Sequence, residues 1–123
     1  MFKLAPVETI RMSIKIQIPG DDNKTKTKSD FSVIFRRRNV EERKEILDVI
    51  NDDDQTLVDD DVLEKDIISI EGIIDSNDEA VVYSPELLTQ LLNMDYVRKP
   101  LMESWIQVNM GQEFYKAYKA KNL

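Results

Sequence analysis

The stretch TIRMSIKIQI, residues 9–18, decides the fold of this chain. Apolar residues occupy every even position and polar residues every odd one, so an extended backbone would present one continuous apolar face. This period of two, carried mainly by β-branched isoleucine, is typical of a β-strand with one buried face. The sequence therefore predicts a strand whose core-facing side chains are Ile10, Met12, Ile14, Ile16 and Ile18.

A turn and a second alternating segment follow this strand. PGDDN, residues 19–23, combines a proline, which cannot donate to a strand ladder, with a glycine that tolerates positive φ. Alternation then returns, with Phe31, Val33 and Phe35 on one side. The two segments predict a long antiparallel β-hairpin, whose outer part around residues 24–29 is polar on both faces and projects into solvent.

Two helix starts can be read from capping residues. Asn39 with Glu42 three positions later forms a candidate capping box for a helix that runs to about residue 50. Ser84 is a candidate N-cap, and Pro85 after it occupies the first helical position, where its missing N–H has no partner to lose.

Two further helices are predicted from apolar spacing, and the polar stretch 51–56 is expected to be a loop. One helix begins near Asp59–Asp61 and runs through Ile70 to a stop at Gly72. The last helix covers about residues 96–110; alternatively it starts at Pro100, because proline breaks a helix interior.

The order of these elements defines an α+β fold, with an antiparallel hairpin followed by about four α-helices. A small β insertion is expected near residues 73–83, where IID and AVVY flank the polar turn SNDE. The 123 residues suffice for a single domain and are too few for two. We divide this domain into a hairpin (1–38), a helical part (39–111) and a tail (112–123) that is free to be flexible.

Charge is segregated along the chain, whose total is −7. Residues 1–47 have a net charge of +4, residues 48–79 of −12 and residues 80–123 of +1. An acidic chain of this kind is repelled by nucleic-acid phosphates, so no nucleic-acid partner is expected. The acidic segment 48–79 leaves one other function open, that of an inhibitor that mimics nucleic acid.

Composition argues against catalysis and against a bound cofactor. The chain has no histidine and no cysteine, which removes the usual general base, thiol nucleophile and metal ligands. Its three glycines are isolated and form no phosphate loop, and its acidic runs match an EF-hand only in part. No apolar run approaches the roughly 20 residues that span a bilayer. We expect a binding protein that is not an enzyme and has no cofactor, metal or membrane partner.

The C-terminal part holds the candidate partner-binding residues. Trp105 and Met110 lie on the apolar stripe of the last helix, and Phe114, Tyr115 and Tyr118 stand among lysines in the tail. Aromatic side chains act as energetic anchors in many interfaces, which favours a docking role. The alternative is that the same side chains pack into the core.

The order of these features resembles that of one known family. The matching segments are IKIQIPGDDN (14–23), FSVIFRRR (31–38), IEGIIDSNDEAVVYSPELLTQLL (70–92), YVRKPLMESWIQV (96–108) and KAKN (119–122). In order and spacing they resemble the tail assembly chaperones of long-tailed bacteriophages and prophages. The chain departs from that pattern at Ile70, where tryptophan is usual, at Pro100, where alanine is usual, and in the SNDEA turn, which lacks a glycine.

The resemblance implies a role in protein binding. Members of this family keep the long helical tape measure protein from aggregating until tail-tube subunits polymerise around it, and they are absent from the finished virion. This implies the tape measure protein as partner, the major tail protein as a further partner, and the cytoplasm of the bacterial host as location. Self-association stays open. A structural tail or connector subunit, whose hairpin adds to a neighbour's sheet, is the alternative.

Overall fold

The computed structural model describes the chain with two internal gaps. The described residues are 1–22, 24–50 and 55–121, and for residues 47–50, 55–59 and 117–121 the description covers the backbone only. The elements in chain order are β1 (Thr9–Pro19), β2 (Lys26–Arg36), α1 (Val40–Ile50), α2 (Gln55–Asp66), β3 (Ile67–Glu71), α3 (Pro85–Leu92), α4 (Asp95–Asn109) and α5 (Gln112–Lys121). A three-stranded antiparallel sheet followed by helices confirms the α+β prediction.

The hairpin has the register that the even-numbered isoleucines predict. β1 pairs with β2 along the full length of both strands, so that Ile14 lies opposite Phe31 and Met12 lies opposite Val33. Ile14, Phe31 and Val33 are buried beneath α4, which packs across β1. The alternating pattern therefore identified the buried face correctly at Ile14 and Ile16, whereas Ile18, also predicted to face the core, is 38% exposed because no described helix covers the outer part of the hairpin.

A third strand takes the place of the end of a predicted helix. α2 ends at Asp66, and β3 then pairs antiparallel with β2, whereas the sequence predicted a helix through Ile70. The ladder has a bulge, because Ile34 lies opposite Ser69 and Phe35 opposite Ile67. The helical prediction was wrong at this point because the structure of a β-branched run depends on its tertiary contacts. Here pairing with β2 stabilises a strand.

The two predicted helix starts are confirmed in atomic detail. Asn39 Oδ1 accepts a hydrogen bond from the Glu42 N–H at 2.9 Å, and the Asn39 N–H donates to Glu42 Oε1 at 3.1 Å, which completes the capping box. Ser84 Oγ accepts from the Leu87 N–H at 3.1 Å, with Pro85 at the start of α3. The predicted loop differs from the structure, because α2 already begins at Gln55 and residues 51–54 lie outside the described part.

The small β insertion is a miniature hairpin held by one bridge, between Ile74 and Ala80. Asp75 closes its turn, because Asp75 Oδ1 accepts from the N–H groups of Asn77 and Glu79 at 2.8 and 3.1 Å. Alternate side chains of this hairpin pack against the core, namely Ile73, Val81 and Tyr83. The insertion predicted near residues 73–83 is therefore present.

The C-terminal part differs from the prediction in two respects. α4 begins at Asp95 and contains Pro100, so the proline is not its start. Beyond Gly111, which has φ of 88°, residues 112–121 form α5 where a flexible tail was expected. A glycine in the left-handed region ends one helix without steric cost and lets the chain start the next.

Candidate partner-binding surface

Trp105, predicted as a partner-binding residue, lies at the centre of the molecule. Its side chain is 0% exposed, and its indole N–H donates to Asp66 Oδ2 at 2.6 Å. The prediction is corrected here, because a fully buried indole cannot contact a partner. Trp105 packs in the hydrophobic core, where Asp66, a carboxylate whose burial at the end of α2 no sequence pattern indicated, accepts its N–H.

Asp66 gathers donors from three separate elements. Arg38 Nε donates to Asp66 Oδ2 at 2.6 Å, and Arg36 Nη2 lies 3.3 Å from Asp66 Oδ1. A buried carboxylate requires such partners because its charge loses hydration. The Asp66 cluster (Arg36, Arg38, Asp66 and Trp105) therefore joins the end of β2 and the chain after it to α2 and α4.

Two further side chains extend this cluster toward α1 and the end of α4. Arg36 Nη1 donates to Glu42 Oε2 at 2.8 Å, and the Asn39 N–H together with this guanidinium holds the pKa of Glu42 below its usual value. Asn109 Oδ1 accepts from the Arg38 N–H at 2.6 Å, and Asn109 Nδ2 donates to the Arg36 carbonyl at 3.3 Å. Hydrogen bonds thus hold the connection from β2 to α1 at two places, through Glu42 of α1 and through Asn109 of α4.

The other predicted binding residues are partly buried or lie outside the description. Met110, Phe114 and Tyr115 are half-buried and pack against the core. Tyr115 Oη also donates to Glu103 Oε2 at 3.5 Å. The side chain of Tyr118 lies outside the described residues. At the predicted C-terminal surface, Met110, Phe114 and Tyr115 therefore expose only part of each side chain, because the rest packs against the core.

Open apolar surface is present instead at the start of the chain. The N-terminal segment (residues 1–7) exposes at least 66% of each of its large apolar side chains, which are Met1, Phe2, Leu4 and Val7. The chain after it is tied to the body where the Arg37 N–H donates to the Glu8 carbonyl at 2.9 Å. Exposed apolar side chains grouped in this way mark interaction sites more often than scattered ones do.

A groove lies between the N-terminal segment and the connection from β2 to α1. Its volume is about 750 Å³, and Phe2, Val7 and Ile68 supply apolar parts of its lining. Arg37 also lines the groove, and its exposed guanidinium makes no ion pair with any residue that the structure describes. This N-terminal groove can accept an apolar segment and, beside it, a negatively charged group.

Local sequence patterns do not indicate this groove. MFKLAPV, residues 1–7, has neither the period of a strand nor that of a helix, so no element was assigned to it. The available signal was the high apolar content of a segment that precedes the first strand. Ile68 was missed as well, because it was placed on a helix, whereas the bulge in β3 leaves it about half exposed.

Two negative findings apply to the described part of the chain. No three or more acidic side chains gather there in an arrangement that could hold a metal ion. None of the helices there has the length and apolarity that crossing a bilayer requires. Neither protein-family models nor curated proteins nor solved structures match the chain.

Proposed function

We propose that the protein is a tail assembly chaperone of a long-tailed bacteriophage or prophage, and that it binds the tape measure protein. The order of sequence features supports this proposal. The observation that carries it structurally is the accessible apolar N-terminal segment beside a groove, on a chain of net charge −7. A protein that shields a sticky client needs apolar surface within reach and enough charge to keep the complex in solution.

The client's apolar stripe lies, on this proposal, in the N-terminal groove. Phe2 and Val7 contact it from the N-terminal segment, and Ile68 contacts it from the sheet side. Arg37 pairs with an acidic side chain of the client at the rim, which sets its orientation. The Asp66 cluster holds the sheet side of the groove in place, while the N-terminal segment adapts to different stretches of a long helix.

Assembly and location follow from this role. The protein binds its client in the cytoplasm of the bacterial host, contacts the major tail protein as the tube grows, and leaves before the virion is complete. These steps concern binding and release of protein surfaces, and none of them requires bond chemistry at the chaperone.

Co-expression with the tape measure protein of the same phage tests the proposal. Wild-type chain is expected to keep this client soluble and to elute with it. The triple variant Phe2→Ser, Leu4→Ser and Val7→Ser should bind the client about tenfold or more weakly, a loss of at least 1.4 kcal/mol. The control, Ile74→Ser with Val82→Ser, removes apolar side chains that are also exposed but do not line the groove, and should bind normally.

Three outcomes contradict parts of this proposal. If the wild-type chain neither solubilises the client nor elutes with it, the chaperone function is wrong. If both variants bind like wild type, the function stands but the N-terminal groove is not its site. If the protein is a stoichiometric component of purified mature tails, it is a structural subunit.

A structural tail subunit is the second candidate, and the free edge of β1 favours it. β1 is an outer strand of the sheet, and within the described residues no strand pairs with its far side. The hydrogen bonds at Glu8 and Gly20 place the even-numbered residues of β1 on the β2 side. The N–H and C=O groups of Arg11, Ser13 and Lys15 therefore point away from β2, where a neighbour's strand could pair with them.

A further inference from the structure

β1 forms one outer edge of the sheet, and this edge is long and regular. Its pairing with β2 runs from Thr9 to Pro19 without a register shift, and its one proline stands at its end. Within the described residues, no hydrogen bond reaches the backbone groups of Arg11, Ser13 and Lys15 that point away from β2. Proteins usually protect an outer edge with a short strand, a bulge or an internal proline, and β1 has none of these.

The opposite edge of the sheet is protected. β3 has five residues, and its ladder with β2 contains a bulge at Ile68. A short strand with a bulge discourages pairing with another molecule. Of the two outer edges, β1 is therefore the one that can accept a further strand.

The apolar residues of β1 are arranged symmetrically about Ile14. They occupy the even positions from 10 to 18, so a two-fold axis at Ile14 places apolar side chains opposite one another in two antiparallel copies of the strand. Ile10 then lies opposite Ile18, and Met12 opposite Ile16. The even-numbered residues direct their N–H and C=O groups to β2, so across the new contact they form non-hydrogen-bonded pairs, in which side chains approach most closely.

The polar face of β1 fits the same register. Arg11 falls opposite Gln17, and Ser13 falls opposite Lys15, so like charges do not face each other. The odd-numbered residues supply the outward N–H and C=O groups, and these form the hydrogen-bonded pairs of the contact.

Other two-fold registers are less favourable. An axis at Ser13 places Arg11 opposite Lys15, and an axis at Lys15 places this lysine opposite its own copy, so like charges repel in both. Axes farther from the centre of the strand leave one end of the apolar row without an apolar partner. The sequence of β1 thus favours the axis at Ile14.

This register also covers the exposed end of the apolar row. Ile18 is 38% exposed, whereas Ile10 is half-buried and packs against the core. Ile10 lies opposite Phe35, close to the Arg36 carbonyl that accepts from Asn109 Nδ2 of α4. Ile18 of one copy therefore reaches the margin of the core in the other copy.

We propose that two copies of this chain pair through β1, antiparallel about a two-fold axis at Ile14, and form one continuous sheet. The outer half of each hairpin then lies beside the base of the other, where Ile18 packs against the partner's Ile10. The contact uses the same edge in both copies, so the assembly closes as a dimer. Below the concentration at which copies associate, the outer half is held by its own hydrogen bonds. This inference does not depend on which client the protein binds.

Sedimentation velocity of the full chain over a range of concentrations is the first test. The wild-type chain should form dimers and no larger species. Ser13→Pro removes an N–H that points away from β2, a change that an edge strand tolerates, and should raise the dimer dissociation constant at least about tenfold. The matched control Ser13→Ala keeps this N–H and should associate like wild type. A wild-type chain that stays monomeric up to millimolar concentration overturns the proposal, as does a folded proline variant that associates like the alanine variant.

Charge at residue 13 tests the register and also decides the matter if the proline variant does not fold. Ser13→Glu places a carboxylate opposite the partner's Lys15, and the two-fold axis repeats this pair. It should tighten the dimer about threefold or more, although it adds to the negative charge of both copies. Ser13→Lys places two ammonium groups opposite each other and should weaken the dimer by a similar factor. Weakening by both changes would place the axis at Ser13, and equal or reversed effects contradict the proposed register as well.

Disulfide trapping locates the contact directly, because the chain has no cysteine of its own. Residues 13 and 15 of opposite copies form a hydrogen-bonded pair with Cα atoms about 5.5 Å apart, which a disulfide can bridge. A mixture of Ser13→Cys and Lys15→Cys chains should therefore cross-link under mild oxidation. The control mixture pairs Ser13→Cys with Lys44→Cys, an exposed lysine of α1, and should cross-link at least about tenfold more slowly. Equal rates in the two mixtures would show that β1 is not the interface.

Discussion

The two halves of the main hairpin share one register but are stabilised in different ways. At the base, Ile14, Phe31 and Phe35 lie in the core beneath the helices. The outer half of the hairpin, residues 15–30, is here called the arm. Beyond Ile16, nearly every described side chain of the arm is exposed on both faces, although the strands stay paired to Pro19 and Lys26. The base is therefore held by packing, and the arm by backbone hydrogen bonds and its turn alone.

This difference shows that regular strand pairing and resistance to opening are separate properties. An isolated two-stranded ribbon is only marginally stable in water, so the arm can open without unfolding the base. The base gains its stability from side chains contributed by distant parts of the sequence. Four experiments separate these two behaviours: the first two compare matched substitutions in the two halves or the supporting cluster, and the last two perturb the arm alone.

The largest contrast is expected between two Asp→Asn changes. Asp66→Asn removes the charge that Arg36, Arg38 and the Trp105 indole share, and should lower the free energy of unfolding by about 3–5 kcal/mol. Asp30→Asn makes the same chemical change at an exposed arm position and should alter it by less than about 0.5 kcal/mol. Urea denaturation of both variants measures the difference. Equal losses would mean that the Asp66 cluster does not support the base.

Two isoleucines on one face of β1 give the next contrast. Ile14 is 1% exposed, and Ile14→Ala should cost about 2–5 kcal/mol because it leaves a cavity beneath α4. Ile18→Ala, four residues along the same face, should cost less than about 1 kcal/mol because its side chain already meets solvent. Thermal or urea unfolding compares them, and a cost at Ile18 that matches the cost at Ile14 would place the arm in the core.

A substitution in the turn of the arm should increase opening of the arm without increasing opening of the base. A Cβ added at Gly20 would collide with Thr25 Oγ1, so Gly20→Ala should weaken the arm by about 1–3 kcal/mol. Amide hydrogen exchange should accelerate at Thr27 while it stays slow at Val33. The double variant Gly20→Ala with Thr25→Ala, which removes the colliding hydroxyl, should recover part of the protection. Faster exchange at both amides would show that the halves open together.

The smallest effect is a dependence of the arm on pH. The N–H groups of Thr25 and Lys24 hold the pKa of Asp22 below its usual value. Since the folded-state pKa is lowered, the stabilising contribution is complete above the unfolded-state pKa, near 3.9, and is lost as pH falls through the lower folded value. NMR titration of the Thr25 amide should follow this low pKa. Asp22→Asn should abolish the titration, and a titration at the ordinary pKa would contradict it.

Local sequence signals predicted much of this fold because the interactions behind them join residues that are close in the sequence. Alternation over residues 9–18 identified the buried face of β1, and Asn39 with Glu42 identified the start of α1, since a capping box is complete within four residues. The miniature hairpin and the Ser84 cap were likewise readable from adjacent residues.

The bulge in β3 explains why this strand was predicted to be helical. The inward-facing residues across the junction are Leu63, Asp66, Ile67 and Ile70, which follow the i, i+3, i+4, i+7 spacing of a helix. Ile67 and Ile70 both face the core, three positions apart, because the extra residue Ile68 interrupts the alternation in β3. A strand with this irregularity cannot be distinguished from a helix by spacing alone.

The candidate site was harder to predict than the fold because it depends on long-range pairing. Trp105 is buried in the core, and its indole N–H is bonded to Asp66, which lies 39 positions earlier in the chain. The N-terminal groove exists only because residues 1–7, the β2–α1 connection and Ile68 meet in space. No spacing rule connects these segments, so no local pattern in the sequence could locate this surface.

Trp105 has one more consequence, for spectroscopy. It is the single tryptophan of the chain, and its indole N–H is bonded to the carboxylate at the junction of the sheet with the helices. Its fluorescence therefore monitors that junction alone, without labelling. Emission should stay at short wavelength while the arm frays, and should shift to longer wavelength only when water reaches the indole.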